Sequence, residues 1–163
     1  MQIIHLSNIW TVIVDFVAWF ILHMVIAYGA TLLPVKLFDE KMWLYRTRSW
    51  EKKGAFYTKL FRVESWKDKL PDGASWFSQG FAKKGLAQKK SEYLDRFVKE
   101  TCRGELAHWF VIAVAPLFFL FNPWYAGIIM IIYAFMANLP CIIVQRYNRP
   151  RLMRIRDRKL KRR

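Results

Sequence analysis

The sequence predicts an all-α integral membrane protein with about three transmembrane helices, on the strength of two observations. Apolar runs lie at about 10–33, 106–121 and 126–144, and a helix needs about 20 such residues to cross the hydrocarbon core. All 27 Lys and Arg residues fall in 36–103 and 146–163, so cations flank the apolar runs and do not interrupt them. At this length we expect one membrane domain, covering 1–163.

The three runs differ in how clearly they predict a crossing. The first is long, and it lacks the basic start and small-residue cleavage site of a signal peptide, so we expect a retained anchor. The second is short and contains Pro116, which leaves open whether it crosses fully or is re-entrant. Only 122–125 separates it from the third run, which predicts a tight helical hairpin.

The distribution of cations predicts the orientation. Segment 36–103 carries 17 Lys and Arg and 146–163 carries ten, while 1–9 and 122–125 carry none. Basic loops stay in the cytoplasm. We therefore expect the N-terminus outside, a cytoplasmic or interfacial segment at 34–104, and a cytoplasmic basic tail at 145–163.

The middle segment interleaves aromatic and basic residues, most densely from Phe38 to Trp66. Such residues settle at the headgroup level and contact anionic lipids, which predicts interfacial amphipathic helices. A turn is expected at 70–73 and a solvent-facing amphipathic helix from Leu86 to Glu100. The same composition suits single-stranded nucleic acid, but beside membrane spans we expect no nucleic-acid partner.

Several kinds of chemistry have no motif in this sequence. It contains no glycine-rich phosphate loop, no G-x-S-x-G elbow and no His/Cys cluster with metal spacing. Cys102 and Cys141 are expected to be ordinary residues. We therefore predict neither a metal nor a cofactor.

Glu105 and His108 are the first candidates for catalysis. A spacing of three residues places them on one face of a helix, where a carboxylate can orient the imidazole and stabilise its cation. Such a pair suits a general base that deprotonates a hydroxyl attacking an acyl carbonyl. The alternative is an interfacial histidine beside a Glu that caps the helix start. Arg103 adds a neighbouring cation to this group.

A second group of candidates ends the third apolar run, and a helical hairpin would return it to the same face as His108. Its arginines suit phosphate or carboxylate, and its neutral side chains suit sugar hydroxyls. The alternative is a stop-transfer flank that sets topology only. The far tail, 154–163, is expected to act only electrostatically. The candidates are Asn138, Gln145, Arg146, Tyr147, Asn148, Arg149 and Arg151.

Asp15 and His23 lie inside the first apolar run. Ionisable groups at membrane depth are candidates for function, but eight residues separate these two. Whether they act in function, or Asp15 simply reaches interfacial water, is left open.

Several motifs resemble the glycosyl-4,4'-diaponeurosporenoate acyltransferase family. They are RGELAHW (103–109), ANLPCIIVQRYNRPRL (137–152), WEKKGAFYTKLF (50–61) and WKDKLPDG (66–73). The family enzyme attaches a fatty acyl chain to the glucose of a glycosylated carotenoid, the last step to staphyloxanthin. On this resemblance Trp109, Trp66 and Lys67 join the candidates for substrate binding.

The resemblance implies an acyltransferase in a bacterial cell membrane. Its donor would be an acyl thioester of coenzyme A or of a carrier protein, and its acceptor a glycosylated carotenoid. Two alternatives stay open: another lipid-linked sugar or glycolipid as acceptor, or a non-catalytic scaffold that binds anionic lipid.

Overall fold

The computed structural model describes residues 2–5, 7–70 and 91–161, and those residues form helices and turns without any strand. The α-helices are α1 (Asn8–Leu32), α2 (Ala55–Phe61), α3 (Val63–Trp66), α4 (Ser91–Val114) and α5 (Trp124–Leu160). Short 3₁₀ helices lie at Val35–Leu37, Ser49–Gly54, Lys67–Lys69 and Ala115–Leu120. The predicted all-α class is confirmed.

Three helices are long and apolar enough to cross a membrane: Asn8–Leu32, Ser91–Leu120 and Trp124–Leu160. Many of their large apolar side chains point outward, and Phe16 and Met136 are 75% and 72% exposed. Apolar surface of this extent is stable against lipid and not against water. The predicted three spans are confirmed, and the fold is that of an integral membrane protein.

The helix that contains the second span begins earlier than the predicted span. The helix predicted up to Glu100 and the span predicted from Leu106 are one continuous α4, because no proline separates them and Gly104 costs a helix only about 1 kcal/mol. Pro116 lies where α4 gives way to the 3₁₀ helix, and its missing N–H is tolerated at such a start. The basic tail is also helical, since α5 runs to Leu160 through Pro140 and Pro150.

The three long helices share one apolar core. Trp19 of α1 stacks on Phe118 at 4.4 Å between ring centroids, and Ala134 and Ile142 of α5 pack in the same cluster. The predicted tight hairpin between α4 and α5 is present, with its turn at Phe121–Pro123. Gly127 allows this close approach, because a Cβ there would lie 2.4 Å from the ring of Phe119.

Asp15 and His23 have separate partners. Asp15 is buried and accepts a 2.7 Å hydrogen bond from Nδ2 of Asn122, in the hairpin turn. His23 Nδ1 lies 2.8 Å from the carbonyl oxygen of Trp19, in the same helix. At the same end as Asp15, the amides of Ile3 and Ile4 donate to the carbonyl of Leu120.

The described residues 34–70 of the middle segment pack around α4 and α5 more closely than expected. Its aromatic residues divide into two groups. Phe38, Tyr45 and Tyr57 are buried inside the protein, whereas Trp43 and Trp50 are 71% and 52% exposed. The expectation of interfacial helices therefore fits only the second group, since the first packs against the long helices. Residues 71–73 of the predicted turn and 86–90 of the predicted helix lie outside the described residues.

Candidate functional site

Glu105 lies at the centre of a charged network between α4 and α5. Its side chain is 0% exposed. Oε2 accepts from Nη2 of Arg149 at 2.6 Å, and Oε1 accepts from Nε of Arg146 at 2.8 Å and from the indole of Trp109 at 3.3 Å. Since the helix begins at Ser91, Glu105 does not cap a helix start. Its oxygens hold two arginines, and its role in orienting His108 stays a prediction.

Arg149 is fully buried, and its guanidinium binds the protein itself. Nε donates to Oγ1 of Thr101 at 2.9 Å, and Nη1 donates to the carbonyl of Tyr45 at 2.7 Å. Arg146 likewise donates to Oε1 of Glu51 at 2.7 Å and to the carbonyl of Leu44. These bonds fasten segment 44–51 to the long helices. The phosphate-binding role of the two arginines stays a prediction.

Arg103 is also engaged inside the protein. It forms a 2.6 Å salt bridge with Glu100 and donates to the carbonyls of Thr31 and Leu33, both at 3.3 Å. Those carbonyls lie at the end of α1, where the last helical C=O groups lack partners within the helix. Arg103 thus joins α1 to α4, and its contact with substrate stays a prediction.

Tyr147 and Arg151 form a separate cluster with Glu64. The Tyr147 hydroxyl and Nη2 of Arg151 each donate to Oε1 of Glu64 at 2.8 Å, and the Arg151 guanidinium lies 3.9 Å from the centre of the Tyr147 ring. The hydrogen bond from Tyr147, together with that from Arg151, lowers the pKa of Glu64. Trp66 packs against the apolar cluster that contains Tyr147. Lys67 pairs with the neighbouring Asp68 at 2.8 Å.

His108 and Asn138 meet across the hairpin. His108 Nδ1 lies 2.9 Å from Oδ1 of Asn138, and Nδ2 of Asn138 donates to the carbonyl of Ala134 at 2.9 Å. The second bond fixes the amide, so its oxygen faces the imidazole and Nδ1 donates to it. In the neutral ring the basic lone pair then lies on Nε2. Asn138 is 1% exposed, while His108 is half-buried.

The partnership of Asn138 with His108 was missed from the sequence, although both residues were candidates. One signal could have found it, because each lies fifteen positions from Pro123 at the hairpin turn. Residues equally distant from a tight turn come opposite each other in an antiparallel helix pair. Gln145 and Asn148 are half-buried further along α5. No group of three or more His, Cys, Asp or Glu suited to a metal ion occurs among the described residues.

Comparisons with known proteins match most of the sequence to one family. The family model described as glycosyl-4,4'-diaponeurosporenoate acyltransferase matches residues 41–158. Two proteins of that name from Staphylococcus aureus, strains bovine RF122 / ET3-1 and USA300, are 40% and 39% identical over 139 residues, which is 84% of this chain and 82% of each relative. No solved structure matches. The chain therefore belongs to the glycosyl-4,4'-diaponeurosporenoate acyltransferase family and is an acyltransferase.

Proposed function

We propose that this acyltransferase moves a fatty acyl chain from a thioester to a sugar hydroxyl of a glycosylated carotenoid, with His108 as the general base. The acceptor is taken from the name shared by the relatives. The observation that carries the role of His108 is its 2.9 Å contact with the buried Asn138. That contact sets the tautomer with the lone pair on Nε2, and a general base needs such a lone pair directed at a hydroxyl.

In the proposed reaction Nε2 of His108 takes the proton of the sugar hydroxyl while its oxygen attacks the thioester carbonyl. The tetrahedral intermediate then collapses, the C–S bond breaks, and the imidazolium returns its proton to the leaving thiolate. The products are the ester and a free thiol. Oδ1 of Asn138 accepts from Nδ1 throughout, so it stabilises the positive charge that forms on the ring.

The surrounding network has a supporting role in this proposal. Glu105, Arg146 and Arg149 keep α4 and α5 in register, which holds His108 opposite Asn138. Gln145 and Asn148 remain the proposed neutral contacts for sugar hydroxyls. Both lie on α5 beyond Asn138, in the direction of the basic tail.

The reaction can be tested in a bacterial host that makes the glycosylated carotenoid but lacks this enzyme. Expression of the wild-type chain should shift the mass of the acceptor by one fatty acyl chain. His108→Ala should abolish that shift, because a general base contributes about 10²–10⁴-fold. The matched control is His23→Ala, whose imidazole bonds to its own helix and should leave transfer intact.

Two results would contradict the proposal. Normal transfer by a correctly inserted His108→Ala protein would remove His108 from the mechanism. A mass shift on a glycolipid or another lipid-linked sugar, with the carotenoid unchanged, would replace the acceptor.

We also propose that the N-terminus faces outward and the basic end of α5 faces the cytoplasm. The support is the charge distribution, with every Lys and Arg on segments that positive-inside logic keeps in the cytoplasm. An impermeant thiol reagent applied to intact cells should label Ser7→Cys and not Leu160→Cys. The opposite labelling would reverse the orientation.

A further inference from the structure

A cleft of about 390 Å³ lies between the C-terminal part of α5 and the turn that precedes α2. One wall is formed by residues that recur every three or four positions along α5 and so share a face. The opposite wall includes Lys53. The residues that line the cleft include Lys53, Met153, Arg154, Asp157, Arg158 and Lys161.

Four cations line this cleft without an internal partner. Within the part of the chain that the structure describes, the side chains of Lys53, Arg154, Arg158 and Lys161 have no hydrogen bond or ion pair. Asp157, the carboxylate beside them, lies 3.2 Å from Nε of Arg156. Converging like charges repel each other, so the arrangement favours a bound anion with more than one negative charge.

The other arginines of α5 show the contrast. Arg146 and Arg149 bind Glu105, and Arg156 binds Glu40 at 2.9 Å and Asp95 at 3.0 Å. The helix thus carries two kinds of arginine, those engaged by internal carboxylates and those at the cleft. A purely electrostatic tail would not require this division.

Lys53 is held at the cleft by an unusual backbone. Lys52, Lys53 and Gly54 have φ of 46°, 57° and 95°, in the left-handed region, which residues with a side chain avoid. The turn is held in place by the buried Glu51, which accepts from Arg146 and from the Tyr57 hydroxyl. Strained backbone that is held in this way clusters at binding sites.

The position of the cleft relative to His108 indicates the kind of anion. Asn138, the partner of His108, is twelve residues from Pro150 at the near edge of the cleft and sixteen from Arg154. At about 1.5 Å per residue these separations are about 18 Å and 24 Å along α5. The extended arm that joins a thioester to its phosphates in an acyl-coenzyme A is on the order of this length.

We propose that this cleft binds the phosphates of a coenzyme A thioester while its acyl group lies at His108. The inference rests on the proposed function and names its donor. Arginine and lysine suit phosphate oxygens, and Met153 offers an apolar wall to the rest of the donor. A concave cleft of this size accepts a small molecule, which favours coenzyme A over the surface of a carrier protein.

The test measures binding without turnover. Purified full-length protein in phosphatidylcholine nanodiscs is titrated with coenzyme A by calorimetry. Lys53→Gln/Lys161→Gln and Arg154→Gln/Arg158→Gln should each weaken binding by about tenfold or more, since each removes two charge-assisted contacts. The matched control is Lys41→Gln/Lys59→Gln, which removes two exposed lysines outside the cleft and should change the affinity by less than about twofold.

Pantetheine, which lacks the phosphates, should bind all four proteins equally weakly. Unchanged coenzyme A affinity in both cleft variants, or no binding by the wild type, would overturn the proposal. So would cleft variants that lose binding to phosphatidylglycerol vesicles but keep coenzyme A, since the cleft would then bind lipid headgroups. Displacement of coenzyme A by acyl-carrier protein but not by acyl-coenzyme A would overturn it in favour of a protein donor.

His108→Ala separates this inference from the proposed function. It should bind coenzyme A normally and fail to transfer the acyl chain. If His108→Ala transfers normally while the cleft variants lose coenzyme A, the role of the base fails and the donor site stands.

Discussion

The carboxylate of Glu105 on α4 lies 2.6 Å from Nη2 of Arg149 on α5, and the two side chains are 0% and 1% exposed. Arg146 binds the other oxygen of the same carboxylate. Arg146 and Arg149 also reach the carbonyls of Leu44 and Tyr45. One carboxylate therefore joins both long helices and the segment that wraps around them.

Removal of Glu105 should destabilise the protein strongly. Glu105→Ala leaves two arginine charges with fewer partners in a dry environment, and breaking a buried pair costs about 3–5 kcal/mol. The measurement is thermal unfolding of the detergent-solubilised protein, followed by size-exclusion chromatography. Glu64→Ala, which removes a half-exposed carboxylate from the surface pair with Arg151, is the control and should change the melting temperature little. If both changes lowered the melting temperature equally, the buried network would not be the main interaction that joins the long helices to segment 44–51.

Hydropathy and charge were sufficient to predict the long helices, because lipid requires apolar runs of nearly fixed length. The wrapping segment could not be predicted in this way. Its short turns depend on bonds such as Glu51 to Arg146 and Tyr45 to Arg149, which join residues 95 and 104 positions apart. No local periodicity carries such information.

The candidate site was predictable only in part, because local spacing shows contacts within one helix and not contacts between helices. The spacing of Glu105 and His108 predicted that they share a helix face. It could not show that arginines from another helix would bind the carboxylate. The pairing of His108 with Asn138 depends on the register of the hairpin. That register follows from the turn at Pro123, which was visible in the sequence.

Asn138 should act as a positioning residue for His108. Asn138→Leu removes the acceptor for Nδ1, so the proton no longer has a fixed position on the imidazole. We expect kcat to fall about 10–100-fold, the range found for residues that orient a metal-binding histidine. KM should change much less, because the Asn138 side chain is 1% exposed and its amide is already bonded to His108 and to the carbonyl of Ala134. Steady-state kinetics on the purified enzyme measure kcat and KM separately. Asn138→Asp should retain more activity than Asn138→Leu, since a carboxylate can still accept from Nδ1, and a reversed order would exclude the positioning role.

Asp15 should matter for stability and not for transfer. Oδ1 of Asn122 is buried without a hydrogen-bond partner in the described part of the chain. Asp15→Asn keeps an acceptor for Asn122 Nδ2 and adds a donor for that oxygen, so the melting temperature should stay equal or rise. Asp15→Leu leaves Asn122 unsatisfied, at a cost of about 1–3 kcal/mol. Loss of acyl transfer by a stable Asp15→Asn protein would instead place Asp15 in the reaction.

A methyl group should be tolerated at Gly29 in α1 and not at Gly127 in the hairpin. Gly127→Ala places Cβ 2.4 Å from the Phe119 ring, and overpacking of this kind costs about 1–3 kcal/mol. Gly29→Ala in α1 meets nothing within 4 Å and should be neutral or stabilising, because alanine is the better helix former. Thermal unfolding distinguishes the two, and Phe119→Leu should recover part of the loss in the Gly127→Ala protein. A stable Gly127→Ala protein would mean that the ring moves aside easily.

The strained turn before α2 allows a test in which one chemical change has opposite effects at two positions. Lys52 has a left-handed φ of 46°, a conformation that costs a residue with a side chain about 1–2 kcal/mol. Lys52→Gly relieves that cost and should raise the melting temperature. Lys59→Gly removes the same side chain from within α2, where glycine costs about 1 kcal/mol, and should lower it. Since both changes remove one exposed cation, charge cannot explain opposite signs, and a shared sign would show that the turn relaxes without strain.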